Sequence, residues 1–281
     1  MIQTALTHGR KLATRIWDFS GGGAQGSMRR AWLGGLVILL AACAPAPLRP
    51  GIPTLWRASP NFGERRPNFV VLHHTDDDST EQALRALTAP YGKTSAHYLI
   101  GNDGALYQLV DERSRAWHAG LSKWGADTDL NSSSIGIELQ NNGREPFPEV
   151  QISSLLALLD DIERRYGIPS ENFLGHSDVA PTRKVDPGPY FPWRILAQRG
   201  YGLWCEPPLP DAPAAFDAIA ALQVVGYDVS DLAAATRAFK LHFAQDQAPP
   251  ELTDSDKSLL YCLTRHGRPD SADEKPARCS E

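Results

Sequence analysis

Ser134-Ile135-Gly136-Ile137-Glu138-Leu139-Gln140 alternates strictly along the chain. A period of two belongs to an extended strand, whose side chains leave by opposite faces in turn. Ile135, Ile137 and Leu139 therefore share one face, and Ser134, Gly136, Glu138 and Gln140 the other. Upstream, Phe69-Val70-Val71-Leu72 is a short apolar run rich in β-branched residues and predicts a buried strand that ends at His73.

Working outward, Ser79 to Gln82 forms a capping box ahead of Ala83, Leu84, Ala86 and Leu87, which predicts a helix. Ser95 to Ile100 and Ala105 to Val110 flank Asn102-Asp103-Gly104, a hairpin signal. Ile152, Leu155, Leu156, Leu159, Ile162 and Tyr166 recur at helical spacing until Gly167 and Pro169 stop them. Phe173-Leu174 is a further short strand, and Pro192 to Gln198 a terminal helix. Strands and helices mix without a regular βαβ repeat. The expected fold class is therefore α/β, a mixed sheet flanked by helices, over residues 61–205. Glu206 to Pro213 reads as a proline-rich linker. Beyond it, helical stretches over 214–225, 230–244 and 253–266 predict a small all-α three-helix domain, 214–266. The tail, 267–281, reads as disordered.

The 281-residue chain carries a formal net charge of -5, with 42% hydrophobic and 22% charged residues. That composition suits a folded globular protein. Residues 1–42 hold five of the basic residues and a single acid, so the remainder is more acidic still. Such a surface disfavours nucleic acid, whose phosphates need a basic face. The four cysteines, Cys43, Cys205, Cys262 and Cys279, show no CxxC spacing, which argues against a cysteine zinc site. Cys205 and Cys262 are free to pair in an oxidising compartment, although spacing does not decide connectivity.

Met28-Arg29-Arg30 precedes an apolar and small-residue run from Ala31 to Leu40, the pattern of a secretory signal over residues 1–42. The run is too short to span a bilayer, and Met28 suits a signal's true start better than Met1. It ends Leu40-Ala41-Ala42-Cys43, which resembles the bacterial lipoprotein box. That resemblance implies cleavage before Cys43, lipidation of its thiol, and membrane attachment through a flexible tether over 43–60. Ala44 is not aspartate, so nothing directs retention at the inner membrane. The expected location is the cell envelope, on the outer membrane facing the periplasm.

Chemistry concentrates in a few of the eight histidines. His73 closes one buried strand, His176 follows another, and Asp186 stands ten residues later in Lys184-Val185-Asp186-Pro187-Gly188. Two imidazoles and a carboxylate form a three-ligand set with a fourth position open to water, the arrangement of catalytic zinc. A lone strand-end histidine is more often a hydrogen-bonded core residue. Neighbouring strand residues face opposite ways, so only one of His73 and His74 can enter such a site. The residues alone also fit a zinc peptidase. A glycosidase pair of Glu138 and Asp186 leaves the histidines unexplained.

Six motifs occur in order: Val71-Leu72-His73, Ser95-Ala96-His97-Tyr98, Trp117-His118-Ala119-Gly120, Ile135-Gly136-Ile137-Glu138, Gly175-His176-Ser177-Asp178 and Lys184-Val185-Asp186-Pro187-Gly188. Together they resemble the zinc-dependent N-acetylmuramoyl-L-alanine amidases, whose fold is shared with phage lysozyme-like amidases and peptidoglycan recognition proteins. The resemblance implies one zinc ion held by His73, His176 and Asp186, with Glu138 as the catalytic acid/base and Lys184 as the cation that stabilises the transition state. It implies peptidoglycan or muropeptides as the partner, cut between N-acetylmuramic acid and L-alanine. His97, His118 and Trp117 are candidates for lining the substrate cleft, His97 and His118 equally for supporting the ligands. The same fold can also serve a non-catalytic muropeptide-binding protein, though such a protein would discard the ligands that this chain keeps. Leu222 to Val229 and Ala238-Phe239-Lys240 resemble the three-helix peptidoglycan-binding domain, of whose middle stretch only Ala235-Thr236 remains.

Overall fold

The strand predicted from Ser134 onward is β4 (Ser134–Leu139), and it lies at the centre of a five-stranded sheet. The structure, a computed structural model, describes residues 66–247 and 249–265. The signal segment, Cys43, the tether over 43–60 and the tail from 267 lie outside the described residues. The strand order is β3 (Leu106–Gln108), β2 (Tyr98–Ile100), β4, β1 (Phe69–His74), β5 (Phe173–Gly175). β2, β4, β1 and β5 are mutually parallel, and only the edge strand β3 runs antiparallel, as the partner of β2 in the predicted hairpin.

Every residue of β4 is buried, on the polar face as well as the apolar one. The alternation in the sequence therefore separates two covered faces. Parallel strands inside a sheet are commonly covered on both sides. On one face Val70, Leu72, Ile135, Ile137 and Leu139 pack under α3 (Glu149–Tyr166) through Ile152, Leu155, Leu159 and Ile162. α1 (Thr80–Thr88), with Ser79 accepting the N–H of Gln82 as its cap, covers Leu99 through Ala83 and Leu87.

The other face carries Val71, His73, Gly136 and Glu138. Short α2 (Leu130–Ser133) leads into β4, and α4 (His176–Val179) follows β5. α5 (Trp193–Gln198) then ends the first region. Past the proline-rich stretch come α6 (Ala218–Val225), α7 (Leu232–Phe239), which continues as a π-helical turn to Ala244, and α8 (Asp254–Arg265). These are the three expected helical stretches, but their core is continuous with the sheet. Val71 and Leu174 share one hydrophobic cluster with Leu222, Phe239 and Leu260. Cys205 and Cys262 form a disulfide across the same junction. Gly226 caps α6 at φ 134°, and a Cβ there would stand 2.3 Å from the Trp124 ring. Only glycine combines that backbone with that contact. Among the described residues no helix is long and apolar enough to cross a membrane.

Candidate metal centre

β1 and β4 run in register with His73 opposite Glu138, so both side chains leave the sheet on the same face at its C-terminal edge. β5 ends one residue before His176, which opens α4. The loop after α4 returns Asp186, anchored by Ser177 N–H donating to its carbonyl at 2.8 Å. His73 Nδ1 lies 2.9 Å from His176 Nδ1 and 3.1 Å from Asp186 Oδ2, and His176 Nδ1 lies 3.0 Å from the same oxygen. All three residues are buried. His74 turns to the opposite face, where its Nδ1 meets the Pro187 carbonyl at 3.1 Å.

Hydrogen-bond direction decides which ring nitrogens are bare. The Ser134 hydroxyl donates its only proton to the Leu130 carbonyl, so its oxygen accepts from His118 Nε2 at 3.2 Å. Burial, reinforced by the neighbouring histidines, holds the His118 pKa well below the ordinary value. A neutral His118 donating from Nε2 must accept at Nδ1, so His73 Nε2–H donates to it across 3.1 Å. Burial first, and then proximity to His176, lowers the His73 pKa to about 4. His73 Nδ1 is left as a bare lone pair. On the other ring, His176 Nε2–H donates to the Ala119 carbonyl at 3.2 Å. In a neutral ring this leaves Nδ1 bare as well. Metal-binding histidines are held in this way, with the second nitrogen committed to an acceptor.

Asp186 completes the set as an anion. Its Oδ2 faces both bare nitrogens, 3.1 Å from His73 Nδ1 and 3.0 Å from His176 Nδ1. Two bare nitrogens and an anionic oxygen, all within 4.8 Å of one another, fit the donor preferences of a divalent transition metal.

Glu138 is 7% exposed, and its Oε2 has no hydrogen-bond partner among the described residues. Burial and the nearby Asp186 charge push its pKa well above the ordinary carboxylate value, and Lys184 opposes them. Buried carboxylates normally find a partner. One that does not, beside a ligand set, marks a candidate reactive group. Lys184 itself is exposed on the loop that carries Asp186.

The other candidates divide. Trp117 is 52% exposed. His118 and His97 are buried, and their ring nitrogens are already committed. His97 accepts the Gly136 N–H at Nδ1 (2.9 Å) and pairs its Nε2 with the Ser114 carbonyl (3.1 Å). Gly136 is required here, because a Cβ would stand 2.3 Å from His118 Cγ. Asn131 Oδ1 accepts the backbone N–H groups of His118 and Ala119, which fixes the Trp117–Gly120 loop. Sequence reading gave no role to Asn131, Ser134 or Asp178. A polar residue at a strand start or a short helix carries no signal of the histidine it will meet.

A family model described as N-acetylmuramoyl-L-alanine amidase matches residues 63–189. The chain is 40% identical over 205 residues to the Escherichia coli N-acetylmuramoyl-L-alanine amidase AmiD, covering 66% of this chain and 71% of that protein. Among solved structures, E. coli AmiD in complex with anhydro-N-acetylmuramic acid-L-Ala-D-gamma-Glu-L-Lys superposes with a TM-score of 0.65 at 33% identity, over 76% of this chain and 95% of that one. AmpDh3 from Pseudomonas aeruginosa in complex with anhydromuramic pentapeptide gives a TM-score of 0.66 at 32% identity, over 75% and 95%.

Proposed function

The chain belongs to the N-acetylmuramoyl-L-alanine amidases, and from that premise we propose that it hydrolyses the amide between N-acetylmuramic acid and L-alanine of muropeptides or peptidoglycan during cell-wall turnover. The observation that carries this reading is the donor set of His73, His176 and Asp186 with the buried Glu138 beside it, whose Oε2 has no partner among the described residues. The muropeptide-bound relatives support the substrate class.

His73, His176 and Asp186 would hold one zinc ion, whose ligand preferences match two imidazoles and a carboxylate. When bound, zinc supplies Lewis acidity and makes water nucleophilic near neutral pH. Glu138 takes the proton of the attacking water on a carboxylate oxygen as the water oxygen bonds to the amide carbon. It then delivers that proton to the alanine nitrogen as the C–N bond breaks, so the leaving group departs as a neutral amine. A raised pKa suits a group that must both accept and return a proton. The Lys184 ammonium offsets the charge that builds on the carbonyl oxygen. Trp117 offers an aromatic face to the substrate, while His118 and His97 support the site from behind.

In this reading residues 61–205 are the hydrolytic region and 214–266 a helical peptidoglycan-binding-like domain reached through 206–213. Cys43 carries the lipid that attaches the enzyme to the outer membrane, facing the periplasm. The Cys205–Cys262 disulfide supports an oxidising compartment of this kind.

Mass spectrometry of purified muropeptide after incubation, with and without a chelator, tests the proposal. The expected products are the muramic-acid-bearing sugar and an intact stem peptide, formed only without chelator. Cleavage inside the stem, or undiminished cleavage with chelator, overturns it.

A further inference from the structure

We infer that the C-terminal helices are part of the metal centre's scaffold, through two positioning residues, Tyr227 and His242, that hold Asp178 and thereby the ligand His176. The inference rests on reading His73, His176 and Asp186 as metal ligands.

Asp178 is fully buried. A carboxylate there needs donors for both oxygens, because burying an unpaired charge is costly. Among the described residues, the region up to α5 provides one donor, the Gly175 N–H, at 2.7 Å from Oδ2. The other two come from beyond the proline-rich stretch. The Tyr227 hydroxyl donates to Oδ1 at 2.6 Å, and His242 Nδ1 meets Oδ2 at 2.7 Å. Both donors are buried and rigidly seated. Tyr227 stands edge-on to Trp124 at 4.9 Å, and His242 is stacked on Trp193 at 3.7 Å and on Phe243 at 4.0 Å.

What Asp178 holds is the start of α4. That helix is one turn long, too short to be stable by itself. Its first residue is His176, and the Gly175 N–H bound by Asp178 belongs to the residue just before it. The ligand's backbone is thus pinned by a carboxylate whose remaining donors lie 49 and 64 residues later in the chain. The contact is part of a wider seam. Gly125 N–H donates to the Gly226 carbonyl at 2.7 Å, and Gln245 Nε2 to the Phe191 carbonyl at 2.7 Å. A module tethered only for carrying the enzyme along its polymer would need none of these.

The test uses the full chain, purified and stripped of metal, and reads zinc affinity by competition with a chromophoric chelator alongside thermal unfolding of the metal-free protein. Tyr227→Phe keeps the ring and removes the donor. Leu260→Ala opens the same helical core without removing any of the three donors to Asp178. Removing an outer partner of a metal site commonly costs 10–100-fold in affinity. The expected result is zinc binding weakened about tenfold or more in Tyr227→Phe and nearly unchanged in Leu260→Ala, although the latter unfolds at the lower temperature. Wild-type affinity in Tyr227→Phe, or equal weakening in both variants, overturns the inference. If the unmodified protein itself binds no zinc, the metal-site reading fails, and the inference falls with it.

Discussion

His73 and Glu138 are paired across the parallel β1–β4 ladder, so a ring with a bare nitrogen and a carboxyl whose Oε2 has no partner among the described residues leave the sheet side by side on one buried face. Sheet register places the metal-binding and proton-handling groups together. Each can therefore be altered without the other.

Glu138→Gln preserves size and burial while removing the proton-transfer function. Turnover of muropeptide should fall by about 10²–10⁴-fold, the usual contribution of general acid–base catalysis. Zinc content by atomic absorption should stay at one per chain. Turnover near wild type would dismiss Glu138 as the base.

His176→Ala should lose both metal and activity. In the unmodified protein, zinc at about 100 times its dissociation constant should add about 2.7 kcal/mol of stability by mass action. Calorimetry should find that gain in the wild type and not in the variant. An equal gain in both would place the metal elsewhere.

Gly136→Ala tests the packing behind the ligand. The new methyl would meet the His118 ring at 2.3 Å. Overpacking a filled interior costs about 1–3 kcal/mol, and displacing His118 also removes the acceptor of the His73 Nε2–H. Denaturant unfolding should register the loss of stability, and zinc affinity should fall with it. Unchanged values for both would mean that the ring moves freely, contrary to the hydrogen-bond chain described above.

Acid should weaken the fold through Glu112. Burial alone would raise this carboxyl's pKa, but hydrogen bonds from Arg165, Tyr98 and Tyr166 outweigh it and hold the pKa below its ordinary 4.5. A depressed folded-state pKa means that the stabilisation is complete above 4.5 and lost as pH falls through the lower, folded value. As pH falls below 4.5 the wild type should therefore lose more stability than Glu112→Gln, which has no charge to neutralise. Parallel pH curves for the two proteins would contradict this assignment.

Much of the fold was legible in short stretches, because strand and helix periods are local properties of the chain. The alternation from Ser134 to Gln140 located β4 and named its two faces, and the helical spacing from Ile152 to Tyr166 located α3. Six ordered motifs pointed to His73, His176, Asp186, Glu138 and Lys184; strand geometry said that only one of His73 and His74 could enter the site, and the motif position chose His73. Other features were decided only by packing. That the polar face of β4 is buried follows from the strands on both its sides and from the helices that close over it. That His118 and His97 stand behind the ligands follows from where Ser134, Gly136 and Ser114 arrive. That Asp178 receives Tyr227 and His242 follows from a core shared between the sheet and helices more than forty residues further on. Periodicity reports which way a side chain points. Which distant donor meets it depends on how whole elements pack, and no local stretch of sequence carries that information.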